Sequence, residues 1–284
     1  MKTIRIISRL DIKGPNMVKG IHLEGLRVLG NPVDYAKYYY ENGADEILLI
    51  DVVASLYDRN SLHSFIKEIS KNVFIPITVG GGIRTIDDIN SVLRSGADKI
   101  VLNTAAVKNP NFIKDAVNKF GSSTISIAIE AIKNEKNKFI AFTDNGRECS
   151  NLNVVDWAKH VEDLGAGEII LTSVDNEGTA IGYNLELVNK IADNAKIPIV
   201  VHGGAGNKKD VLKIIMQSNC DAVCASSIFH YKAFREIFIN KNVNYVTEGN
   251  FDFMKSGVIN KKIKTINIYE LKEFLIDNNI SIRN

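Results

Sequence analysis

Two carboxylates and two glycine-rich loops are the groups in this sequence whose types and spacing carry chemistry. Asp11 closes an apolar run near the N-terminus, and Glu130 closes another near the middle of the chain. If both runs belong to one sheet, the two side chains face a common mouth, and facing carboxylates suit general acid–base catalysis. A lone carboxylate at a strand end is as often a helix cap, but capping does not explain two at equivalent places. Gly81-Gly82 and Gly203-Gly204 also follow apolar runs, and a polar pair ends the next run in each case, Asn103-Thr104 and Ser226-Ser227. Glycines let a backbone approach a phosphate, and the N–H groups of a following helix stabilise its charge. One such pair is equally well a tight turn. Its duplication with hydroxyl and amide partners points to a substrate with a phosphate at each end.

Positioning these groups requires strands that all run the same way. Eight runs rich in Ile and Val, namely IRIISRL, EILLI, IPITV, KIVL, TISIAIE, EIILT, IPIVV and AVCA, alternate with longer amphipathic stretches such as 32–42 and 85–95, which end at Gly43 and Gly96. Strand then helix, eight times, implies parallel strands. GADEILLIDVVAS at 43–55 recurs as GAGEIILTSVDNE at 165–177, and IPITVGGG at 75–82 recurs as IPIVVHGG at 197–204, both at an offset of 122 residues. Two such halves sum to roughly the 250 residues typical of a (β/α)8 barrel, whereas solenoid repeats run to about 20–50. The expected fold is thus α/β, a TIM barrel with a two-fold internal repeat. Residues 1–284 form one domain, with half-barrels over about 1–122 and 123–245, an insertion over about 231–265 after the eighth strand, and a terminal helix over about 266–279. The rival, an open doubly wound sheet, lacks its GxGxxG fingerprint here. In such barrels chemistry gathers at the C-terminal strand ends. Besides the groups above, Asp51 and Thr172 stand there, and Thr172 joins the candidates for substrate contact.

At the opposite end, Arg5, Glu46, Lys99 and Glu168 open the first, second, fourth and sixth strands with two charges of each sign. They either close an ion-pair ring or flank the strands as ordinary surface residues, where each pair is worth only about 0–1 kcal/mol. Strand alternation puts Arg5, Ile7, Arg9 and Asp11 on one face, so Arg9 points into the barrel beneath Asp11. The net charge of +2, from 35 basic and 33 acidic residues, leaves no overall footprint for nucleic acid or an anionic membrane. Three cysteines without CxxC spacing imply neither a disulfide framework nor a zinc site. His202 stands without a ligand cluster, so it packs or hydrogen-bonds rather than holding a metal. No cofactor and no metal are implied. The charged N-terminus excludes a secretory segment, and a soluble, cytoplasmic protein is expected.

The motifs LDIKGPNMVKG, GADEILLIDVVAS, VGGGIRT, GADKIVLNTAAV, GAGEIILTS with its following EGT, and GGAGN together resemble the cyclase subunit of imidazole glycerol phosphate synthase, a histidine-biosynthesis family, over about 4–230 and again at 266–283. The resemblance implies a lyase and cyclase. It would take ammonia and a bis-phosphorylated ribulosyl aminoimidazole carboxamide nucleotide, and release imidazole glycerol phosphate and aminoimidazole carboxamide ribotide. It implies that Asp11 and Glu130 act as acid and base, and that Lys19, on the loop after the first strand, helps hold substrate. Gly82, Asn103, Thr104, Gly178, Gly204, Ser226 and Ser227 fall on its phosphate-binding positions. Arg5, Glu46, Lys99 and Glu168 match its gate, through which ammonia enters from a HisH-like glutaminase subunit docked on the N-terminal barrel face.

The sequence also departs from that family. Aspartate is replaced by Glu130 and again by Glu177, and a carboxylate displaced by 1 Å can cost about 100-fold in rate. Arg9 and His202 replace small residues, and the 231–265 segment is additional. These departures support a second reading, a paralogue that passes ammonia to a sugar amidotransferase of surface-polysaccharide synthesis. A catalytically silent scaffold for the glutaminase ranks last, because the phosphate loops are intact.

Overall fold

The computed structural model describes residues 2–54, 62–239 and 262–283, so most of the 231–265 segment lies outside the described residues. Its strands, in chain order, are β1 (Arg5–Lys13), β2 (Asn16–Ile21), β3 (Glu24–Gly30), β4 (Glu46–Asp51), β5 (Ile77–Gly80), β6 (Lys99–Leu102), β7 (Ile125–Lys133), β8 (Phe139–Thr143), β9 (Glu148–Asn153), β10 (Glu168–Ser173), β11 (Ile199–His202) and β12 (Ala222–Ala225). Eight of them, β1, β4, β5, β6, β7, β10, β11 and β12, pair in parallel in that order, and β12 returns to pair with β1. The fold is the expected (β/α)8 barrel, and these eight strands are the eight apolar runs of the sequence.

Sequence signals place the helices. In α1 (Pro32–Glu41) the proline sits in the first turn, and Asn31 Oδ1 accepts the Val33 N–H at 2.9 Å. The next helices are α2 (His63–Ile69), α3 (Ile86–Arg94), α4 (Thr104–Lys108), α5 (Asn111–Phe120), α6 (Val154–Asp163), α7 (Leu185–Ala192), α8 (Lys208–Gln217), α9 (Ser227–Phe234) and α10 (Ile268–Asp277). Reciprocal capping boxes open α3 (Thr85 with Asp88), α8 (Asn207 with Asp210) and α10 (Asn267 with Glu270). One apolar layer lies between strands and helices, and a smaller one fills the barrel with Ile7, Leu48, Val101, Ile170, Val200, Ala222 and Cys224.

The internal repeat has a local cause. Asp45, Asp98 and Asp221 each stand just before or at a strand start and accept the N–H of a neighbouring strand, from Ile6, Ile77 and Ile199 at 2.7, 2.8 and 2.8 Å. The backbone N–H of each returns a bond to the same neighbour, which pins the register of adjacent strands. Gly167 takes the fourth such place because the Ser122 carbonyl oxygen would lie only 2.1 Å from a Cβ there.

Two β-hairpins were not among the eight strand candidates. β1 runs two residues past Asp11 to pair antiparallel with β2, and β7 runs past Glu130 to pair antiparallel with β8. Asp11 pairs with Val18 and Glu130 with Phe142. Each carboxylate therefore sits where a barrel strand leaves its parallel neighbours and enters a hairpin.

Candidate active site

The mouth is built from the C-terminal strand ends and the two hairpins. Asp11, Glu130 and Arg9 are 3, 6 and 3 % exposed, so all three are desolvated charge-bearing groups in one small volume. Arg9 Nε donates to Asp11 Oδ1 at 2.7 Å, so the cation anticipated beneath Asp11 is an ion-pair partner. Burial opposes the charge on Arg9, but the carboxylates of Asp11 and Glu130 outweigh it and hold the guanidinium ionised beyond its ordinary range. Arg9 Nη2 is buried without a hydrogen-bond partner among the described residues.

Glu130 has a different environment. Its Oε2 accepts the Gly146 N–H at 2.8 Å, a contact supplied by the β8–β9 turn. Asp144, Asn145 and Gly146 are three successive left-handed residues at that turn. Burial pushes the Glu130 carboxyl from 4.5 up to about 7, against the pull of Arg9 and of the Gly146 N–H. Two carboxylates at equivalent backbone positions thus differ in partner, one held by a cation and the other by a neutral donor.

The glycine loops have the geometry their sequence implies. Gly81, Gly82, Gly203 and Gly204 all have positive φ, between 70° and 110°. A Cβ at Gly81 would meet the Asp51 carbonyl oxygen at 2.3 Å, and one at Gly204 the Gly182 carbonyl oxygen at 2.1 Å. Asn103 and Ser226 precede α4 and α9 with nearly the same backbone angles, φ/ψ of −137°/−88° and −124°/−77°, and neither uses its side chain as a cap. In α9 the Phe229 and His230 N–H groups donate to the Ser226 carbonyl at 3.0 and 2.8 Å. With no side-chain cap on either helix, the N–H groups that precede these are the ones suited to a phosphate. Thr104 Oγ1 is 3.3 Å from Asp144 Oδ1, and Ser226 Oγ donates to the Arg9 carbonyl at 3.2 Å.

The two sites differ in room. The first-half loops open on a cavity of about 390 Å³ lined by Gly80, Gly81, Gly82, Asn103, Thr104 and Glu130, together with Arg9. The second-half loops, with Gly178, Gly204, Ser226 and Ser227, enclose only about 10 Å³. His202 lines the smaller one. Its Nδ1 lies 3.3 Å from Thr172 Oγ1 and 3.4 Å from Arg9 Nη1, and its Nε2 lies 3.4 Å from Ser226 Oγ. A guanidinium only donates, so Nδ1 accepts and the ring proton resides on Nε2. Burial, with Arg9 and Lys19 nearby, holds His202 neutral, well below its usual range. Lys19 is paired with Glu177, at 3 and 2 % side-chain exposure, and Glu177 Oε2 accepts the Leu23 N–H at 3.1 Å. That pair ties the β2–β3 hairpin to the loop after β10, where Gly178 packs against Gly20.

The floor of the larger cavity is made of Leu48, Val101, Ala128 and Ile170. On strands of alternating side chains these stand directly above Glu46, Lys99, Ser126 and Glu168. At that lower level Arg5 bonds Glu46 at 3.0 Å and Glu168 at 2.6 Å, while Lys99 lies 3.0 Å from Glu46 and 3.5 Å from Glu168. The four charges form a closed alternating ring, and Thr78 and Ser126 add hydroxyl donors to its two carboxylates. Burial opposes the charge on Arg5, and Glu168 and Glu46 outweigh it.

Asp51, Arg84 and Asn145 also line the large cavity, and none of the three is among the expected site residues. Asp51 was visible as the polar end of β4, and Arg84 as part of VGGGIRT. Asn145 belongs to the Asp-Asn-Gly hairpin signal. Among the described residues no cluster of three or more His, Cys, Asp and Glu is placed to hold a metal, and no helix is long and apolar enough to cross a membrane.

Residues 5–235 match the family model described as histidine biosynthesis protein. The chain is 53% identical over 210 residues to the imidazole glycerol phosphate synthase subunit HisF of Legionella pneumophila, covering 74% of this chain and 99% of that one. It is 45% identical over 230 residues to the subunit of the same name from Saccharolobus solfataricus, covering 81% and 91%. It is 43% identical over 232 residues to that of Petrotoga mobilis, covering 81% and 92%.

Proposed function

We propose, from the premise that this chain belongs to the histidine biosynthesis protein family and within it to the imidazole glycerol phosphate synthase HisF subunits, that it is the cyclase subunit of that enzyme. The observation that carries the reading is the two-fold relation between two uncapped helix N-termini, each beside positive-φ glycines, with two buried carboxylates between them. A long substrate with a phosphate at each end fits that symmetry. Gly82, Asn103 and Thr104 hold one phosphate. Thr172, Gly178, Gly204, Ser226 and Ser227 hold the other once His202 and the Lys19-bearing hairpin give way. Lys19, freed from Glu177, supplies a cation to the bound ligand.

Asp11 and Glu130 move protons while ammonia is incorporated into the ribulosyl aminoimidazole carboxamide nucleotide. The products are imidazole glycerol phosphate and aminoimidazole carboxamide ribotide. Ammonia comes from a HisH-like glutaminase docked on the N-terminal barrel face. It passes the ring of Arg5, Glu46, Lys99 and Glu168 and crosses an apolar layer that favours a small neutral molecule over ammonium. The cavity floor one layer above the ring supports this route. The rival, ammonia delivery to a sugar amidotransferase, gains nothing from the relatives named above.

The test is direct. Purified protein is incubated with ammonium and the bis-phosphorylated nucleotide, and loss of the nucleotide is followed by absorbance. Turnover is expected, and none in a folded protein that still binds the glutaminase would refute the reading.

A further inference from the structure

We propose that Arg9 divides the work of the two carboxylates, holding Asp11 as the anionic base and leaving the shared proton on Glu130, the acid. This rests on the cyclase reading for its catalytic meaning, while the proton placement rests on the bonding geometry and burial of the two carboxylates. The two groups occupy equivalent strand positions, so backbone symmetry would make them interchangeable. Arg9 breaks that symmetry. It rises from the Asp11 strand and makes its 2.7 Å bond to Asp11, whereas the hydrogen bond to Glu130 comes from the neutral Gly146 N–H. Asp11 therefore has the cation as its direct partner, while Glu130, buried beside it, has a neutral donor.

The neighbours agree with this division. Arg9 faces Asp11 on its own strand, Glu130 on β7, His202 on β11 and Cys224 on β12. His202 is held neutral, and burial raises the Cys224 thiol so that it stays protonated, so neither adds charge to the centre. Glu130 faces Arg9, Asp11, Asp144 and the Gly146 N–H, and Asp11 and Asp144 both favour its protonated form. The desolvated Glu130 carboxyl, raised to about 7, is thus poised to give its proton near neutral pH. In a step where the nitrogen of ammonia sheds a proton and a departing substrate atom gains one, the first goes to Asp11 and the second comes from Glu130. The pair keeps its total charge and is reset by one proton returning from Asp11 to Glu130.

The experiment follows the infrared band of protonated carboxyl groups against pH, alongside the ammonium-dependent rate. In the wild-type protein a band is expected to vanish with a midpoint near pH 7, to be missing in Glu130→Gln and to persist in Asp11→Asn. In Arg9→Met, loss of the cation moves the midpoint up by about one pH unit. The maximal rate falls about 10-fold or more, and Arg9→Lys restores the midpoint. A band that disappears in Asp11→Asn, or a midpoint unmoved in Arg9→Met, would overturn the proposal. If Arg9→Met does not fold, the band assignments in the two carboxamide variants and the Arg9→Lys midpoint still decide. Absence of wild-type turnover with the band behaving as described would sink the cyclase reading and leave the proton placement standing.

Discussion

The Gly146 N–H donates to Glu130 Oε2 at 2.8 Å, so a turn of the second hairpin receives a carboxylate one methylene longer than that of Asp11. The extra methylene is accommodated by a specific donor. Glu130→Asp is therefore expected to lose that bond and place the carboxyl short of its working position, lowering kcat by about 100-fold. Steady-state kinetics with ammonium check this. A variant as fast as wild type would show that the Gly146 contact does not set the position.

Burial of Glu130 also links stability to pH. Its carboxyl rises from 4.5 in the unfolded chain to about 7 in the fold, so folding is favoured while Glu130 is protonated and loses free energy as pH climbs between those values. The loss approaches about 3 kcal/mol above pH 7, at about 1.4 kcal/mol per unit. Glu130→Gln, which is neutral throughout, should unfold at nearly the wild-type temperature at pH 4.5 and at a higher temperature at pH 8. Calorimetry at the two pH values decides, and a difference that does not grow with pH would contradict the buried-acid assignment.

Much of this was legible in the sequence, and the rest was not for physical reasons. The barrel followed from strand and helix periods and from the 122-residue offset, because the strand starts of the two halves are pinned alike, by Asp45 and Asp98 in the first and by Asp221 in the second, with Gly167 at the fourth place. Alternation along β1 placed Arg5, Arg9 and Asp11 on one face, with Arg9 under Asp11, since a strand admits only two facings. The hairpins escaped notice because KGPNMVKG and TDNGREC are polar and short, although Asp-Asn-Gly marks the second turn. The pairing of Lys19 with Glu177 joins residues 158 apart, and no local pattern encodes it. Nor does symmetry in sequence report the unequal room at the two glycine loops, of which the smaller is lined by His202 and Glu177.

Lys19 and Glu177 are buried together, and removing one strands the other. Lys19→Met is expected to destabilise by about 3 kcal/mol, and Glu177→Met by a similar amount through the unpaired ammonium. The double variant should recover most of the loss, since replacing both partners leaves no buried charge. Denaturant unfolding of all four proteins forms the cycle. Additive losses would mean that the two side chains act separately in holding the hairpin.

The proposed passage of ammonia through the ring at the bottom of the barrel distinguishes two ways of supplying nitrogen. Arg5 contacts both carboxylates of the ring, so Arg5→Met leaves Glu46 and Glu168 to share Lys99. None of the four lines the cavity at the mouth, where Asp11 and Glu130 sit at higher levels of the barrel. On the proposed route, ammonium added to the solution reaches the mouth from the substrate side, whereas ammonia released by a docked glutaminase crosses the ring. The variant should therefore keep its ammonium-dependent rate within about twofold and lose about 10-fold in the glutamine-dependent rate of the complex, equivalent to about 1.4 kcal/mol. Equal losses by the two routes would place the ring in support of the barrel rather than in the path of ammonia.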